Sequence, residues 1–306
     1  MTPRASVEID LARIRHNAQE IAHRTRVPIY AVIKADAYGL GAARIAQALA
    51  DVVAGWAVFS LHEAIDADLW RCTGKPSITL GPPLPLDPQP YRDHHVRPAV
   101  SSTEQAAALR SADPILCVDT GMQRFGCPPQ QIDAVIHAGA CREAFTHATR
   151  LEHVHALRQM LAGRGLLLHA AASSLLDEPE AYLDAVRPGL ALYRDAVTVS
   201  LPLIEAHATR GPVGYSGFSA TRHGIILCGY AHGLRRGPCL INGNLRQILE
   251  VGMQSAYVEL ADRDRPGDSV TLLGHTLDPA TIAAAWSSTP HEVLLRLAAA
   301  GERRYV

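Results

Sequence analysis

Lysine is almost missing from this chain of 306 residues: Lys34 and Lys75 are the only two, and every other basic residue is arginine. A function that requires an amine rather than a guanidinium therefore has two places to reside. Excess charge of either sign is also missing, with 29 basic against 30 acidic residues, which argues against a nucleic-acid or membrane-surface partner. The six cysteines, at 72, 117, 127, 141, 228 and 239, form no CxxC pair and no zinc-like spacing, so reduced thiols are expected rather than a disulfide framework. Histidine is plentiful, but His94 with His95 and His153 with His155 lack the carboxylates and spacing of a metal set, so no metal site is expected. The first thirty residues hold no signal-peptide apolar core, and no run approaches the ~20 apolar residues of a membrane span. A cytoplasmic protein is the expectation.

What is present is enough apolar residue, 48%, for one large core or two ordinary ones. Pro28 to Ile33 is a β-rich apolar run bounded by proline before and glycine after, the pattern of a fully buried barrel strand. Lys34 closes that strand. An amine can lose its proton and form a Schiff base, and partial burial lowers its pKa, whereas a guanidinium stays charged and is a poor nucleophile. A lysine snorkelling from a strand end is the plainer alternative. Tyr38 stands four residues on, ahead of a helical segment from Gly41 to Ala50 whose N-terminus suits a phosphate.

Along the chain, Ser6 to Asp10 alternates like a strand and a helix opens after it, with apolar Leu11, Ile14, Ala18 and Ile21. With the lysine strand, seven further runs at 55–61, 77–81, 97–101, 114–120, 143–148, 166–172 and 185–193 give eight strands. Helical patterns separate most of them, at 61–70, 103–110, 129–138, 151–161 and 175–185. This alternation predicts a (β/α)8 barrel rather than an open doubly wound sheet. Five prolines between Gly81 and Pro90 rule out a regular helix in that crossover. Beyond Ser200 strands without helices are expected at 222–229, 246–251, 256–260, 269–273 and 292–297, which places a barrel at 1–200 and a mainly β domain at 201–306.

The stretch Ala31-Val-Ile-Lys-Ala-Asp-Ala-Tyr-Gly39 resembles the pyridoxal-phosphate lysine motif of the alanine racemase family, and the similarity extends over nearly the whole chain. Asp119-Thr-Gly-Met-Gln-Arg-Phe-Gly126 resembles its "DTGM-x-R-x-G" loop, which implies that Arg124 meets the cofactor's phenolic oxygen and the substrate carboxylate. Phe145-Thr-His147 is similar to a family Thr-His pair in which the histidine supports the arginine beside the pyridine ring; a packed core histidine is the alternative reading. His169 to Ser173 resembles "H-x-A-N-S", implying Ser173 on the phosphate, and Arg187 to Tyr193 resembles "RPG-x-x-LYG". The latter implies phosphate-binding amides at Gly189 and Leu190 and Arg187 facing the pyridine nitrogen. Tyr38 is implied near the phosphate. Val213-Gly-Tyr-Ser216 resembles the motif of the second base, Tyr215; Cys228 to Gly233 implies Tyr230 at the site entrance, and Val251 to Gln254 implies Met253 at the substrate carboxylate.

The resemblance thus implies a pyridoxal 5'-phosphate enzyme that racemises a small amino acid, most simply alanine. Proton transfer at Cα would use two bases, Lys34 for the D-enantiomer and Tyr215 for the L-enantiomer, in a homodimer with shared sites. Departures fall on the substrate side: Cys117 where the family has a carbamylated lysine, Ala172 for Asn, His232 and Gln254 for Asp, and Leu40 for His. They leave open a paralogue that racemises, epimerises or decarboxylates another amino acid. A binder of the cofactor without turnover also remains open, although it would have no use for Tyr215.

Overall fold

The computed structural model describes residues 5–306 and divides the chain into two compact units. Ile14–Ala37 and Gly41–Leu192 form one; the segment up to Arg13, Tyr38–Leu40 and Tyr193–Val306 form the other. The first strand belongs to the second of these units. Ala5–Ile9 pairs antiparallel with Val197–Pro202 and parallel with Gly301–Tyr305, so its buried residues Ala5, Val7 and Ile9 pack with the C-terminal strands.

The first unit is the parallel barrel. Tyr30–Val32, Gly55–Val58, Ser77–Thr79 and Val96–Arg97 form one four-stranded run; Ala99–Val100, Ile115–Cys117, Glu143–Ala148 and Leu167–Ala171 form the next. Pro98 separates the runs because it offers no N–H, and its carbonyl still accepts from the Ile115 amide at 2.9 Å. Burial on both faces explains why these strands read as continuous apolar runs. The eighth strand, expected at 185–193, is reduced to single bridges at Ala185 and Val186, followed by a 3-10 turn at Leu190–Tyr193. Those bridges suffice for closure: Tyr30 donates to the Val186 carbonyl at 2.9 Å, Val32 to Pro188 at 2.8 Å, and Arg187 to Ala171 at 2.8 Å.

Helices differ from expectation where local chemistry interrupts them. The segment 61–70 is two short helices, Leu61–Asp66 and Leu69–Thr73, broken at Asp68 with φ 48°. The segment 175–185 holds no α-helix, only 3-10 turns at Ser173–Leu175 and Pro179–Ala181, the second opening on a proline. The proline-rich crossover forms one short helix, Pro88–Asp93, capped by the Asp87 carboxylate on the Gln89 amide.

The second unit is a nine-stranded sheet in the order 205–208, 222–226, 256–259, 244–251, 237–241, 269–273, 197–202, 5–9, 301–305. The strand expected at 292–297 is instead part of the helix Pro290–Ala298. Thr289 caps it through the Glu292 amide, proline occupies its first turn, and buried Val293, Leu294, Leu297 and Ala298 recur at helical spacing. A second helix, Pro279–Trp286, precedes it, so the C-terminal unit is mainly rather than wholly β.

Candidate active site

Lys34 stands at the C-terminal rim of the barrel, the end at which barrel chemistry gathers, whereas Lys75 precedes the N-terminal end of its strand, Ser77–Thr79. Lys34–Gly39 forms one helical turn. The turn is left-handed: Ala35, Asp36, Ala37 and Tyr38 have φ of 53°, 53°, 53° and 58°. Each L-residue held this way costs about 1–2 kcal/mol, so four in succession must be held by their surroundings. The Ala37 amide donates to the Ile33 carbonyl at 2.8 Å, Gly41 to the Asp36 carbonyl at 2.9 Å, and Ala42 to the Asp36 carboxylate at 2.8 Å. The Glu63 carboxylate completes the hold, accepting from the Ala35 amide at 2.9 Å and the Phe59 amide at 2.6 Å. Tyr38 therefore ends this turn instead of heading the helix, which spans Ala42–Leu49.

Half-buried, the Lys34 amine is pushed below the usual lysine range, first by lost hydration and then by the Arg124 charge, while Glu63 pulls it back. Arg124 itself is exposed, on the loop in which the Asp119 carboxylate accepts from the Gly121 amide at 2.8 Å and the Gln123 amide at 3.0 Å. Gly126 closes that loop because a Cβ there would lie 2.5 Å from the Asp119 nitrogen. Behind it Cys117 is buried, its thiol pushed up to about 12 by burial, and it offers no anion to hold Arg124.

The Ser173 hydroxyl lies at the barrel's other anion-binding corner, accepting from the amides of Gly189 at 3.0 Å and Ala191 at 3.1 Å. These convergent donors fit a phosphate oxygen as well as they fit a hydroxyl. Ala191 joins Gly189 here, a donor that sequence reasoning did not single out; Leu190 lies between them in the 3-10 turn.

Arg187 is buried, and burial lowers its guanidinium to about 10. Its Nη1 donates to the Nδ1 of His169 and, at 2.9 Å, to the His169 carbonyl; Nη2 donates to the Thr146 carbonyl, and the Phe145 ring lies 4.8 Å beneath. His169 is thus a buried histidine on Arg187. His147, half-buried, follows Thr146 on the same strand. Beyond His169 comes Glu143, whose carboxylate lies 2.9 Å from Nε2 and also accepts from Arg97. Sequence reasoning did not reach Arg97 or Glu143, because they are far apart in the chain and belong to no motif.

In the second unit, Tyr215, Tyr230 and Met253 gather on the segment 250–253 and are exposed. The Glu250 carboxylate accepts from the amides of Tyr215 at 2.8 Å and Ser216 at 2.7 Å. Gly214, at φ 70°, allows this approach, since a Cβ there would lie 2.4 Å from a Glu250 oxygen. Tyr230 donates its amide to the Gly252 carbonyl at 2.9 Å, and Ala231 to the Met253 carbonyl at 3.0 Å. Tyr38 belongs to this unit, its ring 5.2 Å from that of Tyr193, and burial raises its phenol to about 12.

Among the described residues no group of three or more His, Cys, Asp or Glu side chains is arranged to hold a metal ion, all six cysteines are free, and no helix is long and apolar enough to cross a membrane. The barrel unit holds an amine of lowered pKa, two amides converging on one hydroxyl and a buried guanidinium that can only donate. This donor set fits pyridoxal phosphate: a carbonyl for the amine, a phosphate for the amides, a ring nitrogen for the arginine.

Comparison with known proteins agrees with that fit. Residues 9–197 match the family of alanine racemase N-terminal domains, and residues 200–305 the family of alanine racemase C-terminal domains. The chain is 32% identical to an alanine racemase from Pectobacterium atrosepticum, the match covering 99% of this chain and 98% of that one. Among solved structures, biosynthetic alanine racemase from Pseudomonas aeruginosa superimposes with a TM-score of 0.89 at 26% identity, covering both chains fully. Alanine racemase from Bartonella henselae, determined with covalently bound pyridoxal phosphate, shares the fold with a TM-score of 0.87 at 24% identity, covering 99% of each chain.

Proposed function

Because the chain belongs to the alanine racemase family, we propose that it interconverts L- and D-alanine by two-base proton transfer at Cα, with pyridoxal 5'-phosphate bound at Lys34. The observation that carries the reading is Lys34 itself: a half-buried amine of lowered pKa, at the barrel rim, on a turn held against its conformational preference. The cofactor, when bound, supplies a carbonyl for an amine and an electron-withdrawing ring that acidifies Cα.

The residues divide the remaining work. The amides of Gly189 to Ala191, with the Ser173 hydroxyl, bind the phosphate, and Tyr38 contributes its phenol. Arg187 faces the ring nitrogen and, because a guanidinium only donates, keeps that nitrogen unprotonated. The resulting weaker electron sink suits a proton that must return rather than a committed cleavage. Arg124 and the Met253 amide receive the substrate carboxylate, His147 supports the arginine side of the ring, and Tyr230 guards the entrance. Lys34 Nζ and Tyr215 Oη move the Cα proton, one for each enantiomer, since a single base would tend to return it to the face it left. A second copy of the chain supplies Tyr215, making the working unit a homodimer.

One observation favours a second reading. With Cys117 buried and neutral beside an exposed Arg124, the carboxylate-side contact differs from the family pattern, which points to a racemase for another small amino acid. Incubating the cofactor-loaded protein with L- and D-amino acids in heavy water tests both readings, because deuterium at Cα reports substrate and proton transfer together. Exchange confined to alanine supports the first reading, exchange of another amino acid the second, and no exchange with any of them contradicts both.

A further inference from the structure

The chain from Arg187 inward carries more than the proposed reaction has used. Building on the reading of Arg187 as the group that faces the cofactor's ring nitrogen, we infer that Glu143 is a positioning residue. Its carboxylate, held by Arg97, fixes the single proton of His169 on Nε2, so that Nδ1 stays free to accept from Arg187 and lock the guanidinium in place.

The argument is one of donors and acceptors. A guanidinium has five N–H donors and no lone pair, so the His169 nitrogen that meets Arg187 must be unprotonated. The ring is neutral, since burial and then the Arg187 charge push it down to about 4. A neutral imidazole holds one proton, which is therefore on Nε2, 2.9 Å from a Glu143 oxygen. An ionised carboxylate only accepts. Burial would raise the Glu143 carboxyl, but His169 and Arg97 beside it bring it down to about 2. Arg97 is fixed from its far side by Asp113, whose carboxylate lies 2.7 Å from Nε. Arg97 thus donates to Glu143 and Arg187 to His169, while Nε2 of His169 lies 2.9 Å from Glu143 as a close ion-pair contact outside ideal hydrogen-bond alignment. The other tautomer would set an N–H of His169 against an N–H of Arg187 and leave Nε2 without a donor for Glu143.

The consequence is directional. Nη1 of Arg187 is committed to His169 and Nη2 to the Thr146 carbonyl, over the face of Phe145, which leaves Nε–H as the donor for a ligand. Exposure of Glu143, His169 and Arg187 is 6%, 1% and 3%, so no solvent substitutes for a missing member. A buried ion pair such as Arg97 with Glu143 is weak evidence for stability, and an apolar pair of similar volume often replaces one without loss. Orientation of Arg187 is what such a replacement would forfeit.

Nitrogen-15 NMR of the histidine-labelled protein at pH 7 reads the ring directly. The expected His169 signals are those of a neutral ring protonated at Nε2; a ring protonated at Nδ1, or at both nitrogens, overturns the assignment. Glu143→Gln leaves Arg97 facing an amide and can fail to fold, so the informative variant is the double replacement of Arg97→Met with Glu143→Leu, which removes the pair without orphaning a buried charge, since the Asp113 side chain is partly exposed and keeps Arg142. It should show His169 turning away from Arg187 part of the time and exchanging between tautomers. Its affinity for pyridoxal phosphate should fall about tenfold, the equivalent of one hydrogen bond, and the absorption band of the bound cofactor should shift. Wild-type affinity with an unchanged band would overturn the link from Glu143 to the cofactor. Failure of the wild type itself to take up pyridoxal phosphate would overturn that link together with the function proposed above. The ring-nitrogen signals, read on the protein alone, tell that outcome apart from a failure of the Glu143 assignment to His169.

Discussion

The Glu63 carboxylate accepts the Ala35 amide at 2.9 Å, joining the helix after the second barrel strand to the first residue beyond Lys34. The same carboxylate accepts from Phe59, so one side chain both ties back the residue ahead of the Ser60 cap of its helix and anchors the left-handed turn. Glu63→Ala removes both acceptors and the one charge that raises the Lys34 pKa. Two effects are expected: a loss of roughly 1–3 kcal/mol in denaturant unfolding, and a Lys34 pKa lower than in the wild type, read from the pH dependence of amine modification. An unchanged or raised Lys34 pKa would contradict the role given to Glu63.

The handedness of the turn makes an unusual mutational prediction. Ala35→Gly is normally destabilising in a helix, but at φ 53° it removes a Cβ clash and should stabilise by up to about 1 kcal/mol. Ala37→Val, buried and at the same φ, should cost at least about 2 kcal/mol because a β-branched side chain fits that conformation worst. Urea midpoints of the two variants check both signs.

Acid sensitivity should trace to His169. Its folded-state pKa of about 4 lies below the usual 6.5, so the unfolded chain binds this proton first as the pH falls. Stability is then complete above about pH 6.5 and declines toward pH 4, by about 3 kcal/mol from this group. Glu143, held down to about 2, extends the loss below pH 4.5. A His169→Gln variant should be flatter than the wild type between pH 7 and pH 5 in thermal or urea unfolding; parallel curves would show that the ring does not carry the effect.

What could be read beforehand follows the range of the forces involved. The buried strand ending at Lys34 is a local pattern, and so are the Ser173 and Arg187 motifs. The left-handed turn was not legible, because Ala35, Asp36 and Ala37 carry no glycine to mark positive φ and the restraint comes from Glu63, 28 residues away. The contact of Arg97 with Glu143 spans 46 residues and leaves no periodicity. The helix Pro290–Ala298 was legible and misread: Val293, Leu294 and Leu297 suggest a strand when taken alone, yet Thr289, Pro290 and Glu292 form a helix start. The lost eighth strand follows from Pro188, which cannot donate to a ladder.

The proposed sharing of sites between two copies predicts complementation. Lys34→Ala and Tyr215→Phe proteins should each be inactive in full racemisation, and mixing them after mild dissociation should restore part of the activity in heterodimers. Sedimentation at micromolar concentration should give a dimer; a monomer of full activity would contradict the sharing.

The central proposal is that Lys34 and Tyr215 act on opposite faces of Cα. The decisive measurement is Cα deuteration of L-alanine and D-alanine in heavy water by the cofactor-loaded Tyr215→Phe protein. Exchange of the L-enantiomer should fall far more than exchange of the D-enantiomer, with the cofactor's absorption unchanged. An equal fall for both enantiomers, or no fall for either, would remove Tyr215 as the second base.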